Sequence, residues 1–226
     1  MGRKLNNKGK RAVSLIAHNN PKLPVTEEYR FICYNIMFSS VDKEIKSILV
    51  TSPEPSDGKS TTAVNLAIVL AQQSGRVLLV DADLRKPSIH YSFNVSNIHG
   101  LTNAITRQVS LNTAISKTCV PNLDILPSGP IPPNPSELLD SNSMKAIMEE
   151  LRNMYEYIIF DTPPVLAVTD PQILANKCDG VVIVVNSGKT HKEGALKTKK
   201  LLENAQGHLL GVILNGGKKN NMYYYQ

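Results

Sequence analysis

An α/β fold with a doubly wound, mainly parallel sheet is the architecture this sequence predicts, on three observations. Short apolar runs at 45–51, 76–80, 122–126, 157–160, 180–185 and 209–214 lack the polar alternation of a strand with one wet face. Helical stretches at 59–74, 141–154, 170–177 and 192–206 separate them, which is the order of strands covered on both faces by helices. Three of the runs also end in residues suited to phosphate and metal, and ligands bind at the carboxyl ends of strands in such a sheet.

A chain of 226 residues, 42% hydrophobic and 19% charged, can build one sizeable core and is short for two. The expected division is a basic arm over 1–23, one phosphate-loop domain over 24–216 and a short tail over 217–226. Net charge is +6, and Arg3, Lys4, Lys8, Lys10 and Arg11 crowd the arm. Two uses of that arm stay open, a solvated segment and a contact with anionic lipid. Cys33, Cys119 and Cys178 are too widely spaced for a C-x-x-C metal or redox pair, so they read as free thiols in a reducing compartment. The apolar runs fall far below the ~20 residues of a membrane helix, and the chain lacks a secretory signal, so the expectation is a cytoplasmic protein.

The first run, Ile45 to Thr51, leads into Pro53, Glu54, Pro55, Ser56, Asp57, Gly58, Lys59 and Ser60, the later part of a G-x-x-x-x-G-K-[ST] loop without its first glycine. Such a loop binds anions because successive backbone N–H groups form a nest at the N-terminal end of a helix. Here Ala63, Leu66, Ala67, Val69 and Leu70 follow at helical spacing. Ser56, Asp57, Gly58, Lys59, Ser60 and Thr61 are thus expected to cradle phosphates, with Lys59 on the β/γ oxygens of ATP and Ser60 on Mg²⁺. The second run, Val77 to Val80, ends in Asp81, Ala82, Asp83, Leu84 and Arg85, and the run Tyr157 to Phe160 ends in Asp161, Thr162, Pro163 and Pro164. One aspartate at a strand end is often a turn residue. Three beside a phosphate loop are expected to converge on the metal and the γ-phosphate.

The tail is the other unusual feature. Tyr223, Tyr224 and Tyr225 stand side by side after a stretch containing Gly216, Gly217, Lys218, Lys219, Asn220 and Asn221, which has little with which to bury them. Taken alone they fit a frayed end; beside a phosphate-transfer site they fit a substrate.

Together these motifs resemble the bacterial tyrosine kinases of Gram-positive organisms, whose catalytic protein is separate from its membrane activator. Residues 53–60 resemble their Walker A loop, Asp81, Asp83 and Arg85 their Asp-x-Asp-x-Arg motif, and Asp161, Pro163 and Pro164 their Asp-x-Pro-Pro motif. The stretch Pro127 to Leu139 also looks like a family segment, and the likeness runs from about Pro24 to the end. It implies ATP and Mg²⁺ as cofactors, with Asp81 accepting the proton of the incoming phenol, Asp83 ordering the metal's surroundings and Asp161 holding the metal. It further implies that Asn215 meets the adenine edge and that the terminal tyrosines are modified by a neighbouring copy. Arg85 is left to steady a phosphate or an interface carboxylate. Expected partners are a transmembrane activator, protein tyrosine substrates and further copies of the chain, with no nucleic acid and with the membrane reached only through the activator. The process implied is capsular or extracellular polysaccharide production.

The sequence departs from the family pattern at three places. Pro53 stands where the loop usually opens with Gly or Ala, and Ser56 where glycine is common; both are expected to weaken nucleotide binding. A family Glu-x-x-Arg-x-x-Arg motif that builds a ring-shaped octamer is matched by Glu27 and Arg30 but ends in Cys33, which predicts a weak or absent ring. Two rival readings are a partition or division ATPase and a nucleotide-gated scaffold. The first requires a lysine directly after the loop's opening residue, where this chain has Glu54.

Overall fold

The computed structural model describes residues 12–39 and 44–217. Its elements in chain order are α1 (Ile16–Asn19), α2 (Pro24–Phe38), β1 (Ser47–Thr51), α3 (Lys59–Gln73), β2 (Val77–Asp81), α4 (Ile89–Phe93), α5 (Leu101–Ile105), α6 (Leu111–Ala114), β3 (Ser116–Lys117), β4 (Leu123–Leu126), α7 (Pro135–Asp140), α8 (Asn142–Met154), β5 (Tyr157–Asp161), α9 (Asp170–Ala175), β6 (Gly180–Asn186), α10 (Lys192–Asn204) and β7 (Leu209–Asn215). The strands form one sheet in the order β3-β4-β2-β5-β1-β6-β7. All neighbours are parallel except β3, a two-residue edge strand antiparallel to β4.

The central strands β1 and β2 are buried at every position, as expected of strands covered on both faces. One face packs on α1, α2 and α3, where Ile48, Val50, Leu66, Leu70, Leu79 and Ile159 join in a single core. The other packs on the later helices, with Leu49, Val80, Leu101, Leu151, Phe160 and Leu202 in a second. Helix α3 is buried without interruption from Thr62 to Ala71 because it lies between the sheet and the outer helices.

Part of the segment assigned by sequence to the basic arm belongs to this packing. Ala17 is fully buried, its N–H donates to Asn65 Oδ1 at 2.9 Å, and Asn65 Nδ2 donates back to the Ser14 carbonyl at 3.0 Å. Leu15 and Ala17 supply the apolar surface that the charged residues further upstream lack. Residues 1–11 and the tail from Lys218, with Tyr223, Tyr224 and Tyr225, lie outside the described residues.

Helix α2 corrects a second expectation. Its buried residues are Thr26, Tyr29, Cys33 and Ile36, spaced by three and four as on one helical face. Cys33 is on that face, fully buried against α3 with Sγ 3.9 Å from the Leu66 carbonyl oxygen, and burial pushes its thiol up to about 12. It therefore cannot stand at a surface between copies. Glu27 pairs with Arg30 within the helix, and Arg30 Nη2 also donates to the Pro21 carbonyl at 3.1 Å. Restoring the family arginine by Cys33→Arg should place a guanidinium in a packed apolar layer, at a cost of roughly 3 kcal/mol or more. A fall in the urea midpoint is expected, with no larger oligomer in sedimentation; an unchanged midpoint would contradict the burial.

No helix among the described residues is long and apolar enough to cross a membrane.

Candidate active site

The carboxyl ends of β1, β5 and β2 lie side by side, and register places the acidic residues. Val50 pairs with Asp161 and Asp161 with Asp81, so two carboxylates end adjacent strands on one side of the strand that feeds the loop. Ala82 N–H donates to the Asp161 carbonyl at 2.8 Å, continuing the ladder by one bond. The loop is tied to β5's exit: Val165 N–H donates to the Ser52 carbonyl at 2.9 Å and Leu166 N–H to that of Pro53 at 3.3 Å.

Within the loop Asp57 accepts from Glu54 N–H at 2.9 Å and closes a turn. Ser56 takes a left-handed φ of 66°, a conformation that favours glycine and in which a serine costs about 1 kcal/mol. Gly58 follows at φ 100° and is required for a second reason. A Cβ there would stand 2.0 Å from Asn215 Nδ2, the group that donates to the Asp57 carbonyl at 3.0 Å. Asn215, expected at the adenine edge, thus braces the loop from the end of β7.

Lys59 turns from the first position of α3 toward the acidic group, with Nζ 3.4 Å from Asp83 Oδ2, 3.8 Å from Asp161 Oδ1 and 3.2 Å from Ser60 Oγ. Burial alone would lower its pKa, but Asp161, Asp83 and Asp81 outweigh burial and raise it, so the ammonium is held charged. Asp81 is fully buried; burial first, then the charge of Asp161, push it up to about 8. Its Oδ2 accepts from the N–H groups of Ser88 and Ile89, each at 3.0 Å, which fixes the carboxylate on the turn into α4. Asp161 is raised too, mainly by burial, with Lys59 and the nearby Ser60 pulling the other way. Asp83 Oδ1 accepts from Lys86 N–H at 3.0 Å and Oδ2 faces Lys59.

This is a buried cluster short of positive charge. Asp81 Oδ1 and both Asp161 oxygens accept no hydrogen bond within the described chain, an arrangement that suits an incoming cation and a hydroxyl donor. Among the described residues no three His, Cys, Asp or Glu side chains close a metal site by themselves. Magnesium fits such a half-built site, since it keeps waters and shares its shell with phosphate oxygens. Thr61, expected among the phosphate-binding residues, lies in the first turn of α3, where its carbonyl accepts from Asn65 Nδ2 at 2.8 Å.

Arg85, left between a phosphate and an interface carboxylate, pairs with a carboxylate of its own chain. It is bound bidentately by the buried carboxylate of Asp170 at the start of α9, Nε to Oδ2 at 2.8 Å and Nη2 to Oδ1 at 3.0 Å, and Nη2 reaches Ser136 Oγ at 3.2 Å. The fork geometry satisfies both partners, so this guanidinium joins the β2 exit to α7 and α9. Two contributors were missed from the sequence. Asp170 gave no signal, being one acidic residue in a helix's first turn. Lys189, between β6 and α10, bridges the Pro55 carbonyl and Asp57.

Comparison with known proteins agrees with this geometry. A family model described as an AAA domain matches residues 45–210. The chain is 50% identical over 214 residues to tyrosine-protein kinase YwqD of Bacillus subtilis (strain 168), covering 94% of this chain and 90% of that protein. It is 42% identical over 213 residues to the putative tyrosine-protein kinase CapB of Staphylococcus aureus, covering 93% of each. The solved kinase domain of Escherichia coli tyrosine kinase ETK superposes with a TM-score of 0.88 at 31% identity, covering 99% of this chain and 88% of that one. With the phosphate loop, the paired strand-end aspartates and this extent of identity in hand, the chain belongs to the bacterial tyrosine-protein kinases.

Proposed function

We propose that the chain transfers the γ-phosphoryl group of ATP to protein tyrosines, its first substrates being Tyr223, Tyr224 and Tyr225 of a neighbouring copy. The observation that carries this reading is the placement of Asp81: buried, anchored through one oxygen by two backbone amides, and offering its other oxygen, without a hydrogen bond, beside Asp161 and near Lys59. In the transfer the phenolic oxygen bonds to the γ-phosphorus as the bond to the β–γ bridging oxygen breaks, and the phenolic proton passes to Asp81 Oδ1. Lys59 and the loop amides offset the charge on the leaving diphosphate. Magnesium would be held by Ser60 and Asp161, with Asp83 beside it, and would neutralise phosphate charge.

A partition-type ATPase is disfavoured by Glu54, since a carboxylate at that position repels a neighbour's phosphates. Self-association fits the outer face of α2, where Phe31 is 60% and Phe38 76% exposed and Tyr34 stacks on Phe38 at 6.4 Å. Dependence on a transmembrane activator, recruitment by it to the membrane and control of polysaccharide synthesis complete the reading.

The tail can act in trans on reach alone. Eleven residues follow Asn215, and an extended chain spans roughly 3.3–3.6 Å per residue, which puts the tyrosines up to about 30 Å from the last strand. Mixing a Lys59→Met chain that keeps its tail with an active chain whose three terminal tyrosines are Phe, with activator and Mg-ATP, should put label on the inactive chain's tail. Label confined to Tyr29, Tyr34 or Tyr91, or no transfer, would return the tail to a frayed end.

A further inference from the structure

The phosphate loop contains an electrostatic liability. Asp57 is fully buried and stands directly before Gly58 and Lys59 in a loop that must accept a polyanion. Its carboxylate is needed locally, because Oδ2 accepts the Glu54 N–H and closes the turn that Pro53 and Ser56, lacking glycine's freedom, do not make readily. A bare buried carboxylate at that point would oppose the phosphates.

The counter-charge comes from 132 residues away in sequence. Lys189 Nζ lies 3.3 Å from Asp57 Oδ1 and also donates to the Pro55 carbonyl, so one ammonium holds both the loop's backbone and its acidic side chain. The turn presenting it is closed on itself, Asn186 N–H donating to Thr190 Oγ1 at 2.8 Å and Thr190 N–H to the Asn186 carbonyl at 2.9 Å. Ser187 N–H is tied to the Asn215 carbonyl at 2.8 Å, so the turn is joined to β7, whose Asn215 side chain braces the same loop. We propose that Lys189 is a positioning residue for nucleotide, keeping the phosphate loop in its binding shape and cancelling the charge of Asp57 so that a nucleoside di- or triphosphate can enter.

This rests on the loop being the nucleotide site. Its signature is a charge balance between two residues, which a purely structural lysine would not show. In Lys189→Met the unbalanced Asp57 should weaken binding of a fluorescent ADP with Mg²⁺ to the full chain about tenfold. KM for ATP should rise in proportion while kcat stays within twofold, because neither residue touches the transferred group. Asp57→Asn keeps the oxygen that accepts from Glu54 N–H and removes the charge, so adding it to Lys189→Met should bring affinity back to within threefold of wild type. Lys189→Arg, which keeps the charge, should stay within twofold. The side chain of Lys189 is 43% exposed on a surface turn, and matched melting curves would establish that the variants are folded. Unchanged affinity in Lys189→Met, a double variant no tighter than it, or an arginine variant as weak as the methionine one would each overturn the proposal while leaving the nucleotide site in place. A wild-type chain that binds no labelled ADP would overturn both.

Discussion

Lys59→Met should reduce tyrosine labelling by at least a hundredfold. The Lys59 side chain is 12% exposed and its ammonium within 3.8 Å of both Asp83 and Asp161, so it is the cation held nearest the point where charge accumulates on the β/γ oxygens. Removing one preorganised charge donor from a site of this kind costs roughly 10²–10³ in rate. The substitution also changes the electrostatics of the resting chain. Without the ammonium, Asp81, Asp83 and Asp161 oppose one another, and the buried pair is raised already with the lysine present. Their pKa values should rise further, so more of the variant's stability is lost as pH rises from about 4 toward 8. Activity and folding are separated by melting the variant at pH 6, where protonated carboxylates lessen the repulsion, and measuring phosphotyrosine there and at pH 8. A folded Lys59→Met chain that keeps a tenth of wild-type labelling would place the active site elsewhere.

The acidic half of this site was legible because Asp81 and Asp161 each end a buried run and Asp83 follows the first by two residues. Such a run has few alternatives to a central parallel strand, and its last residue then falls at the ligand edge. Burial at every position of β1 and β2 bears that out. Helix α2 was not legible as an element, since its inward face carries Thr26 and Cys33 while Phe31, Tyr34 and Phe38 point outward, which blurs the apolar period. The same helix shows why a motif spaced by threes misleads. At about 100° per residue, positions 27, 30 and 33 drift around the axis, so Cys33 reaches the core face that Glu27 avoids. The partner of Arg85 and the role of Lys189 were missed for another reason. Their partners lie 85 and 132 residues away, and nothing local to either lysine or arginine signals a carboxylate that only the crossovers bring near.

Asp81→Asn should abolish labelling and at the same time stabilise the chain. Asparagine is nearly isosteric and its oxygen can take both amide donors now held by Oδ2, from Ser88 and Ile89, so the turn into α4 is kept. What is lost is the acceptor for the phenolic proton. A tyrosine of pKa ~10 gives up that proton only as the bond to phosphorus forms, and a neutral amide cannot take it. The gain in stability follows from the raised pKa of about 8. Between the ordinary aspartate value near 4 and about 8, the folded chain holds a proton that the unfolded chain releases, so wild-type stability falls as pH rises through that window. Asparagine removes the dependence, and the variant should gain on the order of a few kcal/mol at pH 8 but little at pH 4, seen as a Tm higher by roughly 5 °C or more at the upper end. The same carboxyl sets the wild-type pH profile: kcat/KM reports the free enzyme, and should fall as pH drops below about 8 and Asp81 takes up its proton. An Asp81→Asn chain that still labels tyrosine, or one whose Tm at pH 8 drops, would remove Asp81 from the role of base and leave its burial without a function.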